Sequence, residues 1–259
     1  MSFLAWLPEL LALLLWPWLR VQGKRTRQRT PRMPPASGNP YGVIYPHVSL
    51  SVVSTPLEVL AIGESPVAGV GVQHQEESIT GQLADALAVS TQRPVAWRAF
   101  GQNGATVRET IDALLSLEIK HSADDISRPV HVLLIAFGVN DSTAFHRVQR
   151  YRKDLEDLLN LCIQRWHPVL TIVCGVPPLQ AFPALPQPLR HVLGLKAAAL
   201  NMVTKQIASC RKETIYVPMM PIASPEWMAA DGYHPSAEGV YQWAKQLADA
   251  IMDSSVLRG

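Results

Sequence analysis

The chain has 259 residues, 48% of them apolar and 17% charged, enough for one sizeable core with appendages. Its formal net charge of +2 is unevenly spread: Arg20, Lys24, Arg25, Arg27, Arg29 and Arg32 carry six of the 23 basic residues, while residues 33–259 hold 20 of the 21 acidic ones. The body of the chain is therefore slightly acidic, which excludes a nucleic-acid-binding domain.

Residues 2–19 (SFLAWLPELLALLLWPWL) are almost wholly apolar, with Glu9 their one charge and Trp6, Trp16 and Trp18 towards the two ends. A membrane span needs roughly 17–25 residues, so the stretch is at the short limit, and Pro8 and Pro17 kink or end a helix. The cations follow the apolar run rather than precede it, and no small-residue cleavage site appears, so removal as a signal peptide is not expected. Residues 1–20 are expected to form a retained membrane anchor; a helix packed on the protein's own surface and an exporting signal are the alternatives. By the positive-inside rule the basic flank keeps the following domain cytoplasmic. Residues 21–50, with Pro31, Pro34, Pro35, Pro40 and Pro46, read as a linker too polar and proline-rich to fold by itself.

From residue 51 to 259 short β-rich runs alternate with amphipathic stretches. Strands are expected at 58–62, 95–100, 130–137, 169–174 and 214–217, most of them without polar alternation, as in strands covered on both faces. Helices are expected near 76–90, 105–118, 143–165, 190–210 and 236–252. This order predicts a parallel, doubly wound sheet with its ligand-binding loops on one edge. Between the fourth strand and the next helix, GVPPLQAFPALPQPLRHVLG carries five prolines and is expected as a stiff loop, either an acyl-pocket wall or a connection shaped by packing alone. Cys162 and Cys174 fall in apolar runs and read as buried free thiols, and with Cys210 they make an odd count that favours a reducing compartment. No metal-ligand cluster is expected, and His74-Gln75-Glu76-Glu77 reads as a solvated helix start.

Four segments carry the chemistry. Gly63-Glu64-Ser65 follows the first strand; Ser65 alone would be a turn or cap serine, but there it meets free backbone amides and a helix dipole that favour a developing anion. GESPV lacks the second glycine of a GxSxG elbow, having Val67 instead. GQNGAT after the second strand offers Gly104 as a bare N–H that a ligand can approach, with Gly101 the alternative. Gly138-Val139-Asn140-Asp141 follows the third strand: Asn140 can donate its amide to an oxyanion, Gly138 permits a sharp turn, and Asp141 is expected to cap the next helix. Asp231-Gly232-Tyr233-His234 precedes the last helix, started by Pro235 and Ser236; the i, i+3 spacing folds the carboxylate against Nδ1 of the imidazole. The other seven histidines are expected to lack such a partner.

Taken together the four segments resemble the blocks of the SGNH hydrolases, the GDSL-type esterases and lipases, over residues 58–250. The resemblance implies a three-layer α/β/α sandwich with a parallel, flavodoxin-like sheet of about five strands. It places Ser65 as nucleophile, Asp231 and His234 as the rest of a triad, and Ser65, Gly104 and Asn140 as the oxyanion hole. The GxND and DxxH elements match unchanged; the first block departs, with Glu64 where the family has Asp. The implied function is hydrolysis of carboxylic esters, with thioesters as a further class, through an acyl-enzyme on Ser65, without metal or cofactor. The substrate is a small-molecule or lipid ester. An acyltransferase, a carbohydrate O-deacetylase and a catalytically silent membrane-associated binding protein are the alternatives.

Overall fold

The computed structural model describes residues 7–46, 55–118 and 130–254. The elements run in the order α1 (Leu7–Leu14), α2 (Trp16–Arg29), β1 (Tyr41–Ile44), β2 (Leu57–Gly63), α3 (Ile79–Thr91), β3 (Val95–Gly101), α4 (Val107–Glu118), β4 (Val132–Ala136), α5 (Val139–Thr143), α6 (Val148–Trp166), β5 (Leu170–Cys174), α7 (Leu189–Ser209), β6 (Thr214–Val217) and α8 (Ala237–Asp253). The six strands form one sheet in the order β1-β3-β2-β4-β5-β6, the last five mutually parallel. Every expected strand and helix of the domain is present within a few residues.

Apolar runs without alternation become strands here because both faces are covered. Leu57, Val59 and Ala61 of β2 face α3 and α8, while Leu60 and Ile62 face α4, α6 and α7, and β4 divides Leu134 and Leu133 the same way. Each fully buried Leu, Ile or Val side chain among them contributes about 1.5–3 kcal/mol. The result is a three-layer α/β/α sandwich with the strand order of a flavodoxin-like sheet. Cys162 and Cys174 are buried and unpaired, as expected, and Cys210 is exposed. His74 starts a short 3-10 turn, Gln75–Glu77, in a capping box with Glu77.

The N-terminal fifth differs from expectation. Residues 21–50, read as a linker, contain the rest of α2 and the strand β1, which pairs antiparallel with β3 as a sixth, edge strand (Tyr41↔Arg98 to Ile44↔Val95). Four residues inside a proline-rich stretch carry too little pattern to be recognised; β1 exists because β3 offers an unpaired edge, and the Gly42 position leaves room for the Trp97 indole. Residues 2–6, with Trp6, and the boundary at 50/51 lie outside the described residues. The described part of the apolar stretch breaks at Leu15, and α1 and α2 lie against α7. No described helix is long and apolar enough to cross a membrane.

Parallel register brings the strand ends together. Gly63 ends β2 level with Gly101 of β3 on one side and Ala136 of β4 on the other. β2 is thus the switch point from which the chain winds in both directions, where sheets of this kind bind ligands.

Candidate active site

Ser65 follows β2 at the floor of an apolar pocket on this edge, 8% exposed. Residues 64–71 form successive turns (Val67 and Ala68 N–H to Glu64 O, Val70 N–H to Ser65 O) rather than the start of a helix, so the expected helix dipole does not act on the serine.

Glu64 next to it reaches across the edge. Its Oε1 accepts from Val139 N–H and its Oε2 from Asn140 N–H, both at 2.9 Å, with the side chain 3% exposed. Burial pushes its pKa up to about 8, Asp141 adding to the rise, against the pull of the Asn140, Val139 and Gly138 amides. The glutamate therefore ties the serine loop to the asparagine loop, a role that no local pattern announces.

Asn140 opens α5. Gly138 stands before it at φ 129°, and a Cβ there would come within 2.4 Å of Val176, so both conformation and space require glycine. Asn140 donates one amide hydrogen to Ala105 O at 3.0 Å, which leaves the second for a ligand. Of the two candidate glycines, Gly101 ends β3 and is packed, since a Cβ would meet Ala68 N at 2.2 Å. Gly104, at φ 83°, has open space where its Cβ would be. That favours Gly104 as the approachable N–H.

Asp141 does not cap the helix that follows it. Its Oδ2 accepts from Val107 N–H at the start of α4 (3.2 Å), and its Oδ1 pairs with the partly buried His146 Nδ1 at 2.8 Å, the Asp141 side chain itself being wholly buried. His146 therefore has a carboxylate partner, contrary to expectation. The pair braces α4 against α5, and neither residue is among those lining the pocket.

Asp231 and His234 come together as expected. Asp231 Oδ1 accepts from Tyr233 and His234 N–H (2.9 and 3.0 Å), which turns the chain, and Oδ2 meets His234 Nδ1 at 2.6 Å. Burial alone would raise the Asp231 pKa; the imidazole and the two amides outweigh it and hold the carboxyl below its usual value. With Nδ1 engaged, Nε2 is the ring nitrogen left for a reacting group. Ser236 caps α8 by accepting from Gly239 N–H, which fixes the exit of this loop. The serine and histidine loops abut: a Cβ on Gly71 would come within 2.2 Å of Pro235 O.

Ser65 and His234 line the same pocket, whose walls are Phe137, Pro177, Pro178 and Phe182 on one side and Met219, Met220, Ile222, Trp227 and Met228 on the other. The stiff loop after β5 thus supplies one wall. The second wall, from VPMMPIASPEWM after β6, was missed; its run of Met and Pro between the last strand and the histidine block was the available signal. Tyr233 was also missed, its ring set edge-on to Phe182 at 5.3 Å and beside His234. Among the described residues no group of His, Cys, Asp and Glu could hold a metal ion.

Residues 61–241 match the model of the GDSL-like lipase/acylhydrolase family. No curated protein matches by sequence. Among solved structures, the psychrotrophic esterase EstA from Pseudoalteromonas sp., in a form inhibited by monoethylphosphonate, is 19% identical with a TM-score of 0.56, over 76% of this chain and 97% of that one. Est24, a carbohydrate acetylesterase from Sinorhizobium meliloti, is 18% identical with a TM-score of 0.55, over 76% and 99%. A carbohydrate esterase family 2 enzyme from Corynascus thermopiles is 14% identical with a TM-score of 0.61, over 82% and 69%. The fold is theirs, and the chain belongs to the GDSL-like lipase/acylhydrolase family.

Proposed function

We propose that this acylhydrolase cleaves carboxylic esters, thioesters included, through an acyl-enzyme on Ser65. The observation that carries this reading is the 2.6 Å His234–Asp231 pair opening onto the pocket that holds Ser65. Ser65 Oγ attacks the acyl carbonyl while His234 Nε2 takes its proton, and Asp231 holds the imidazolium in place. The oxyanion is received by the Ser65 and Gly104 N–H groups and by the free hydrogen of Asn140 Nδ2. Collapse expels the alcohol or thiol, protonated by His234. Water then attacks the acyl-enzyme with His234 as base, releasing the acid and restoring Ser65. No step calls for a cofactor.

Ser65→Ala should abolish labelling by a fluorophosphonate probe while the fold persists, and undiminished labelling of that variant would sink the assignment. A wild-type chain that never labels would instead support a silent binding protein.

The pocket favours small acyl groups. Its cavity is about 70 Å³, roughly half the ~150 Å³ that accepts a benzene molecule in an engineered apolar cavity. This supports a second reading, removal of acetyl groups from a carbohydrate, in keeping with the acetylesterase among the structural neighbours.

The N-terminal segment attaches the enzyme to a membrane with the domain on the cytoplasmic side. The cations between Arg20 and Arg32 support this, since such clusters stay with the anionic inner leaflet. Protease added outside sealed spheroplasts should leave the domain intact; digestion would place it outside.

A further inference from the structure

The α1–α2 segment, a helical run broken only at Leu15, has two distinct sides. Ala12 and Leu19 enter the core beside α7, and Glu9, the one acid of the apolar stretch, turns inward onto Lys196 Nζ at 2.6 Å. The Lys196 side chain is wholly buried, so this pair belongs to the fold and leaves no acid on the outer side of the described part of α1. Gln22 fixes α2 to the start of α7, donating to Gln187 O and accepting from Leu189 N–H. On α2, Leu19, Gln22, Gly23 and Thr26 recur at helical spacing towards the domain, the less exposed side of the helix.

The outer side is apolar, then cationic. Leu13, Leu14 and Trp18 are 74%, 77% and 63% exposed, and Leu10, Trp16 and Val21 about half. Six large apolar side chains in twelve residues exceed the scattered exposure of an ordinary surface. Arg20, Lys24, Arg25, Arg27 and Arg29 follow, all exposed, and α2 carries no acid. Arg20 lies over the Trp16 ring, joining the two zones.

Resting on the membrane attachment read above, we propose that this segment docks the domain in the plane of an anionic bilayer and does not cross it. Glu9, Ala12 and Leu19 hold the segment on the domain, and no described helix is long and apolar enough to cross a hydrocarbon core of about 30 Å. The apolar side chains enter the acyl boundary, the two tryptophans take the polar interface, and the cations reach lipid phosphates. Charge chooses this occupant over a second copy of the chain. A two-fold contact through this face would bring its cations onto themselves, whereas an anionic surface gains roughly fivefold in partitioning per cation. Docking also orients the site: Arg25 and Arg29 share a groove with Ala184, Pro186, Ala230 and Asp231, so α2 borders the loops that carry His234 and the Phe182 wall. The bilayer then lies beside the catalytic edge.

The test is sedimentation of the full chain with phosphatidylcholine vesicles, with and without 30% phosphatidylglycerol, at low and high salt. Binding to the mixed vesicles should exceed binding to neutral ones at least tenfold and weaken with salt. Leu13→Glu/Leu14→Glu/Trp18→Glu should lose binding at least tenfold, with an unfolding temperature within about 2 °C of wild type because the sites are exposed. Lys24→Glu/Arg27→Glu should lose the preference for anionic vesicles. A full chain that ignores mixed vesicles, or a triple variant that binds as well as wild type, overturns the proposal. So does a wild-type dimer that the triple variant makes monomeric without vesicle binding, which would make the face a self-contact. Because the readout is binding of purified protein, an enzyme inactive on esters, or a domain reached by external protease, would leave this result standing and sink only the corresponding reading above.

Discussion

Replacing Glu64 separates a tolerated family variation from a residue to which the site is built. Its two oxygens each accept one buried N–H at 2.9 Å, from Val139 and Asn140. Glu64→Gln keeps the volume but sets an NH2 group against one of those donors. A buried donor left unsatisfied costs about 1–3 kcal/mol, which lowers Tm by roughly 3–10 °C in a domain of this size. The amide concerned belongs to the turn that aims Asn140, so kcat on p-nitrophenyl acetate should fall about 10- to 100-fold while KM changes little. Glu64→Asp restores the family residue yet withdraws the carboxylate by one methylene, about 1.5 Å by ordinary bond geometry, and should lose activity as well. From the sequence alone this substitution is expected to keep or gain activity; the clamp reverses that expectation. pH adds a check. With the folded pKa near 8, above the free value of 4.5, the folded state keeps a proton that the unfolded chain has lost. The contribution of Glu64 is therefore full below about pH 4.5 and is lost as pH rises through about 8, so the Tm gap to Glu64→Gln should narrow over that range. Wild-type kcat and Tm in Glu64→Asp would refute the clamp.

Asn140→Ala should lower kcat by roughly 10²–10³ with KM within about threefold, because the oxyanion bond matters in the transition state; a loss confined to KM would assign Asn140 to ground-state binding. Glu9→Leu strands the buried Lys196 ammonium and should cost about 3–5 kcal/mol in chemical unfolding, with Glu9→Leu/Lys196→Met recovering most of it; no loss in the single variant would mean that Lys196 finds water. For the same reason a chain lacking residues 1–33 should unfold more easily than the full chain. Across p-nitrophenyl esters, kcat/KM should peak between acetyl and butyryl and fall by octanoyl; a palmitoyl optimum would show that the two Met- and Pro-lined walls part to admit a chain.

Much of the domain was legible because its determinants are local. The β/α alternation is written in apolar runs that need no partner to be recognised, and the Asp231–His234 pair is one turn of chain whose spacing fixes its own geometry. Gly138 is legible for the same reason, as a conformational requirement of a single turn. What the sequence left open lies in contacts between segments far apart. Glu64 meets Val139 and Asn140 only because β2 and β4 are neighbours ending level with one another. Asp141 turns to the start of α4 and to His146 instead of its own next helix, because the buried N-terminus of α4 lies against it. β1 owes its existence to the free edge of β3, and the inward turn of Glu9 to Lys196, 187 residues later. Spacing within one turn is dictated by backbone geometry; which loops share a sheet edge, and which charge is buried against which, is decided by packing of the whole chain.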